Sequence, residues 1–168
     1  MSKAVQVRLG ASTGREVPTK TVNFMVSDSL VHKSVVIDSS RSAVEHLCSR
    51  LLAAAAAKDF NSDDVFAIHL ALEEALLNAI CHGNKQDTEK RIKVEYFITP
   101  AKFEISITDE GAGFNPDVVP DPRAEENLYK SCGRGLLLMR SYMDEVEYNK
   151  TGNCVHMVKH KTSSPGAS

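Results

Sequence analysis

The sequence predicts an α/β (α+β) domain of three helices and five or six short strands, and three observations carry that expectation. Phe66 to Asn84, FAIHLALEEALLNAICHGN, is apolar at helical spacing on two sides, as a mostly buried helix must be. Ile92 to Thr108 alternates apolar and polar residues about Thr99-Pro100, the pattern of a β-hairpin with one buried face. Across 168 residues, 42% hydrophobic and 25% charged residues are globular proportions, enough for one core of ordinary size.

The central helix carries polar groups where a core helix should have none. Val65, Ile68, Leu72, Leu76 and Ala79 form one apolar face, and Phe66, Leu70, Leu77 and Ile80 a second. Between them Glu74, Asn78 and His82 follow one another at four-residue spacing and stack along one stripe. An unpaired buried polar group costs roughly 1–3 kcal/mol, so these side chains are either hydrogen-bonded within the protein or hold a ligand.

Taken in order, residues 1–20 show no sustained period and read as a flexible arm. Thr21 to Met25 and Lys33 to Ile37 have the β-branched content of strands, and Asp38-Ser39-Ser40 offers N-caps for a helix from about Arg41 to Lys58. Asp59, Asn61 and Ser62 break that helix and cap the central one, which Gly83 and Asn84 should close as a C-cap. In the hairpin that follows, continuing the alternation puts Asp109 on the side of Phe103, Ile105 and Ile107, toward the helices. It is the second polar group in an apolar position.

Gly111 and Gly113 after Asp109 form a simple turn or let the backbone approach a ligand closely. Asn115 to Tyr129, with three prolines and four acidic residues, is a loop over a site or a plain surface connection. Gly133-Arg134-Gly135 then opens a helix through LLLMRSYM, and such a turn either packs tightly or offers free N–H groups and a positive dipole end to an anion such as phosphate. Asp144 to Asn149 and Cys154 to Lys159 read as two last strands, and residues 162–168 as a disordered tail.

A formal net charge of −2 gives no electrostatic footprint for nucleic acid or an anionic membrane. The longest apolar run, Leu51 to Ala57, is far short of a membrane span, and no secretory leader is visible. Cys48, Cys81, Cys132 and Cys154 lack metal-ligand spacing and read as free thiols in a reducing cytosol.

In order and spacing, the ExxxN box Glu74 to Asn78, the DxGxG box Asp109 to Gly113 and the GxG box Gly133 to Gly135 resemble the ATP-binding superfamily shared by DNA gyrase, heat-shock chaperones and sensor histidine kinases. Within it the wording EALLNAICHGN, DEGAGFNP and GRGLLLMRSYMDEVEYN is similar to the stand-alone RsbW-like anti-sigma-factor serine/threonine kinases, over Val35 to Lys159. The resemblance implies a two-layer sandwich, a mixed and mostly antiparallel sheet with helices on one face, and residues 21–161 are expected to form a single ATP-binding kinase domain.

It also implies roles. Glu74 would be the general base for an attacking hydroxyl, and Asn78 would hold Mg²⁺ on the phosphates of ATP. Asp109 would accept from the adenine amino group, Gly111 and Gly113 would make room for the base, and the backbone of Gly133, Arg134 and Gly135 would cradle phosphate. The Arg134 side chain either reaches a terminal phosphate or faces solvent, and His82 is expected to pack or cap rather than catalyse.

Kinases of this kind phosphorylate an anti-anti-sigma partner and sequester a sigma factor in the cytoplasm, and the resemblance extends to a possible homodimer. The alternative is a nucleotide-gated binding module that sequesters a regulator with little or no phosphotransfer; retention of Glu74 favours the kinase, because binding alone needs no base. A histidine-kinase catalytic module would need a long dimerising helix with a phospho-accepting histidine, and a gyrase- or chaperone-like ATPase would need transducer domains; neither is expected here.

Overall fold

A computed structural model describes residues 31–115 and 134–162. Strands β1 (Val31–Asp38), β2 (Arg91–Ile98), β3 (Lys102–Asp109), β4 (Glu145–Tyr148) and β5 (Cys154–His160) form one sheet in the order β1-β2-β3-β5-β4. Helices α1 (Arg41–Ala56), α2 (Ser62–Asn78) and α3 (Arg134–Tyr142) form the second layer. All four strand pairings are antiparallel, so the parallel pair of a mixed sheet is not among the described residues. The strand expected at Thr21–Met25, the arm at 1–20, most of the 115–129 loop and the tail beyond Thr162 lie outside them.

Alternation in the hairpin has the predicted consequence. Ile92, Val94 and Ile98 of β2 and Phe103, Ile105 and Ile107 of β3 are buried on one face, while their neighbours in sequence are more open. Against that face α2 sets Ile68, Leu72 and Leu76, all wholly buried, and α1 adds Leu47 and Leu51. Burying a side chain of this size contributes about 1.5–3 kcal/mol, so this interlayer contact is the main source of stability. Ser62–Gly83, 22 residues with an 18-residue window of mean hydropathy 1.3, is the one described stretch long and apolar enough to cross a membrane, yet it packs as the core helix of the sandwich.

Caps set the helix boundaries. The Ser40 hydroxyl accepts from the Ala43 N–H at 3.3 Å, and the Asn61 side-chain oxygen Oδ1 from the Asp64 N–H at 2.8 Å. Helix α1 stops at Ala56, two residues before the predicted Lys58, because Asp59 turns to φ 61° and closes the last turn. The second apolar face of α2 is only partly used: Phe66 is 54% exposed and meets Tyr142 of α3 edge-on at 6.0 Å, and Leu70 and Leu77 are half-buried. Thr162, expected in the tail, is tied to the domain through hydrogen bonds to Asp64 and Asn61.

The largest departure from expectation is at the end of α2. Its last turn, Ala79–Gly83, widens into a π turn, and the Asn84 N–H reaches back to the Ala79 carbonyl at 2.7 Å. Left-handed backbone falls on Lys85 and Gln86 at φ 57° and 60°, not on Gly83. Gly83 is therefore no C-cap glycine, and another contact requires it.

Candidate functional site

Glu74 and Asn78 lie one turn apart on α2, under the first turn of α3. A β-carbon on Gly135 would sit 2.5 Å from Glu74 Oε2 and 3.2 Å from Asn78 Nδ2, so the α3 backbone rests directly on both side chains. Both are half-buried, and among the described residues neither has a hydrogen-bond or ion-pair partner. Among the described residues, then, nothing satisfies this polar stripe. The N-terminal end of α3, described from Arg134, brings a positive dipole end to the same place. Arg134 is exposed at that terminus, Gly133 lies outside the described residues, and His82 is exposed on the π turn.

The second cluster surrounds Asp109. Its side chain reaches the helix layer as the alternation predicts, and the carboxylate occupies the place a Gly83 side chain would fill. Gly111 abuts the Gly83 carbonyl; a β-carbon on it would stand 2.7 Å from Asp109 Oδ1, and its N–H donates to that oxygen at 2.7 Å. Asp109 is held between two glycine backbones. Burial raises its pKa above the ordinary carboxylate range, opposed by the Gly111 N–H and by Lys90. Oδ1 is engaged by the turn, and Oδ2 accepts no hydrogen bond among the described residues.

Gly113 answers to the protein's own packing. It has φ 74°, and a side chain there would strike the Thr151 carbonyl, while Gly152, at φ 76°, meets the Phe114 carbonyl in the same way. The 111–114 segment and the β4–β5 turn are thereby locked together. Asn153 strengthens the joint, its carbonyl accepting the Asp109 N–H at 3.0 Å and its Nδ2 donating to the Asp109 carbonyl at 3.1 Å. Beside it opens a cavity of about 640 Å³ lined by residues that include Phe114, Tyr148, Asn149 and Lys150. Phe114 meets Tyr148 edge-on at 5.1 Å, and burial pushes the Tyr148 phenol up to about 12, with Arg140 opposing and Asp109 adding to the rise.

Sequence reasoning misses Asn84, Asn149 and Asn153. Asn84 is wholly buried, and the one available signal is a side chain that hydrogen-bonds on every edge placed just beyond an apolar helix, where it reads as a cap. The two clusters stand at either end of the last turns of α2, Asn78 to Gly83 being about 8 Å along the axis at helical rise. A carboxylate oxygen without a hydrogen bond among the described residues at one end, and an amide and a helix N-terminus beside the Glu74 carboxylate at the other, suit a ligand with a hydrogen-bond donor at one end and phosphates at the other. Among the described residues no group of three or more His, Cys, Asp or Glu is placed to hold a metal. The donors fit Mg²⁺, which takes one or two protein oxygens and completes its shell with water and phosphate.

The α+β sandwich, five antiparallel strands under three helices, is the fold of a class of nucleotide-using ATPase domains. Residues 37–159 match the family described as the histidine kinase-like ATPase domain, and the chain belongs to that family. Anti-sigma F factors of Bacillus thuringiensis (strain Al Hakam) and Bacillus cytotoxicus are each 31% identical to it over 112 residues, covering 63% of this chain and 76% of theirs. The solved structure of the RsbU and RsbW domains of Rv1364c from Mycobacterium tuberculosis has the same fold, with a TM-score of 0.56 at 15% identity. That likeness covers 82% of this chain and 35% of the other.

Proposed function

We propose that this chain is an ATP-dependent protein serine/threonine kinase acting as an anti-sigma factor, which phosphorylates an anti-anti-sigma partner and sequesters a sigma factor. The observation that carries the reading is Glu74: a half-buried carboxylate without a partner among the described residues, one turn from Asn78 and beneath the α3 N-terminus. A module that only bound nucleotide would have no use for a base there. The anti-sigma role is supported by the relatives, whose name states that they act against a sigma factor.

In this reading Asp109 accepts from the adenine amino group, which fixes the base, and the N–H groups at the start of α3 hold phosphate oxygens. Gly111 keeps a side chain out of the turn under the base, Gly113 holds that turn against Thr151, and Gly133, Arg134 and Gly135 complete the phosphate cradle. Asn78 would hold Mg²⁺, which when bound offsets charge on the phosphates. Glu74 takes the proton of the partner's serine or threonine hydroxyl as its oxygen bonds to the terminal phosphorus and the bond to ADP breaks. We place the protein in the cytoplasm, where free Cys48, Cys81 and Cys154 suit a reducing compartment, and as a homodimer by kinship.

Calorimetric titration with ADP and a non-hydrolysable ATP analogue, with and without Mg²⁺, tests the site. Binding that needs both the metal and Asn78 is expected. No binding in either condition would overturn the nucleotide reading, and binding with no transfer to any hydroxyl-bearing partner would leave a sequestering module.

A further inference from the structure

Asn84 is buried with 0% exposure and uses its whole side chain. Its Nδ2 donates to the Ser39 hydroxyl at 3.2 Å and to the Arg91 carbonyl at 3.1 Å, and its Oδ1 accepts the Glu110 N–H at 2.9 Å. These partners stand just after β1, at the first residue of β2 and just after β3. The Asn84 N–H meanwhile closes the π turn on Ala79 at 2.7 Å, and the Glu110 carboxylate ties back to the Arg91 N–H at 2.6 Å. One side chain therefore fastens the end of the helix that carries Glu74 and Asn78 to three strand ends.

Its neighbours make that fastening matter chemically. Gly83 precedes Asn84 and lies against the Asp109 carboxylate, while Glu110, which Asn84 holds, follows Asp109. The gap that receives the carboxylate has Gly83 on one wall and Gly111 on the other. Moving the π turn away from β3 opens the gap and lets the carboxylate rotate.

We propose that Asn84 is a positioning residue for base recognition: it holds the π turn on the ends of β2 and β3, aims the Asp109 carboxylate, and so sets preference for a purine with a 6-amino donor over one with a 6-oxo group. The inference rests on the adenine reading of Asp109 above. A residue that only stabilised the fold would lower Tm and weaken all ligands alike. A positioning residue alters the ratio between bases.

The test compares dissociation constants for Mg²⁺ complexes of a non-hydrolysable ATP analogue, its inosine counterpart and tripolyphosphate. The proteins are the parent, Asn84→Ser, Asn84→Asp and Asp109→Asn. The parent should prefer adenine by about tenfold or more, a difference of about 1.4 kcal/mol. In the Asn84 variants that ratio should fall toward one, with tripolyphosphate binding within about twofold of the parent on the same scale. Ser39→Ala, which removes one of the bonds to Asn84, should shift the ratio the same way by less, and it serves if the Asn84 variants do not fold. A ratio unchanged in every foldable Asn84 and Ser39 variant overturns the inference, and if Asp109→Asn has then lost the preference, the adenine reading stands without it. A parent without base preference overturns both.

Discussion

Gly135 of α3 lies so close to Glu74 of α2 that a β-carbon on it would stand 2.5 Å from the carboxylate oxygen Oε2. The contact is with the far end of a flexible side chain, so a methyl there is accommodated by moving Glu74 rather than the helix. Alanine is also about 1 kcal/mol better than glycine inside a helix. Gly135→Ala should keep or raise Tm yet lower phosphotransfer about 100-fold, the cost of a misplaced reacting group. Unchanged turnover with partner protein would mean that Glu74 is not the group α3 positions.

Glu74 and Asn78 should separate binding from chemistry. Glu74→Gln keeps the shape and removes the base, so nucleotide affinity should stay within a few-fold while transfer falls by about 10²–10⁴. Asn78→Ala should abolish Mg²⁺-dependent nucleotide binding. Calorimetry and single-turnover phosphorylation read the two effects apart, and full transfer by Glu74→Gln would reassign the base.

How much of the fold and site is legible in the sequence depends on where each residue's partner lies. Period-two alternation gives the facing of Asp109, and helical spacing gives the Glu74–Asn78 stripe, because both are properties of one element. Phe66 and Leu70 are more open than their spacing predicts because their burial depends on how far α3 extends over α2, which no single-element pattern records. The glycines are visible as glycines, but Gly83 and Gly113 are required by a side chain 26 residues away and by a carbonyl in the β4–β5 turn. Asn84 escapes for the same reason, since its partners come from three separate strand ends.

The raised pKa of Asp109 gives a pH signature with a definite sign. Burial favours the neutral acid in the folded state, so this group's contribution to stability is fully present below its unfolded pKa and is lost as pH rises through the folded one. Asp109→Asn should therefore raise the Tm of the nucleotide-free protein slightly at neutral pH, with the gain vanishing in acid. Binding runs the other way: the ionised carboxylate is the acceptor, so parent affinity for the ATP analogue should fall in mild acid, at higher pH than for an exposed aspartate. Thermal melts and titrations across pH check both, and a parent affinity that is flat down to the ordinary carboxylate range would remove Asp109 from base recognition.

Gly113 should behave as a structural residue beside functional ones. Placing a side chain at φ 74° costs about 1–2 kcal/mol, and the contact with Thr151 adds about 1–3 kcal/mol more. Gly113→Ala should thus lower Tm by roughly 5–15 °C. Gly83→Ala has no left-handed strain to bear and displaces the Asp109 carboxylate, so its larger effect should fall on adenine preference. Equal Tm losses in the two with base preference intact would contradict the division.

The clasp at the other end of α2 should do the reverse of the site residues. Asp64 is 1% exposed, and its carboxylate accepts the Thr162 N–H at 3.0 Å and the Thr162 hydroxyl at 3.1 Å, while Asn61 Nδ2 donates to that hydroxyl at 2.7 Å. Thr162→Val keeps the shape and the backbone donor but leaves Asp64 and Asn61 each one bond short, a loss of about 1–3 kcal/mol. Asp64 is about 21 Å along the helix from Asn78, so the change should not reach the ligand end. The variant should melt a few degrees lower while binding the ATP analogue with parental affinity. A fall in affinity without a fall in Tm would mean that the position of α2 at the site is set from its N-terminus, and that the clasp belongs to the nucleotide machinery.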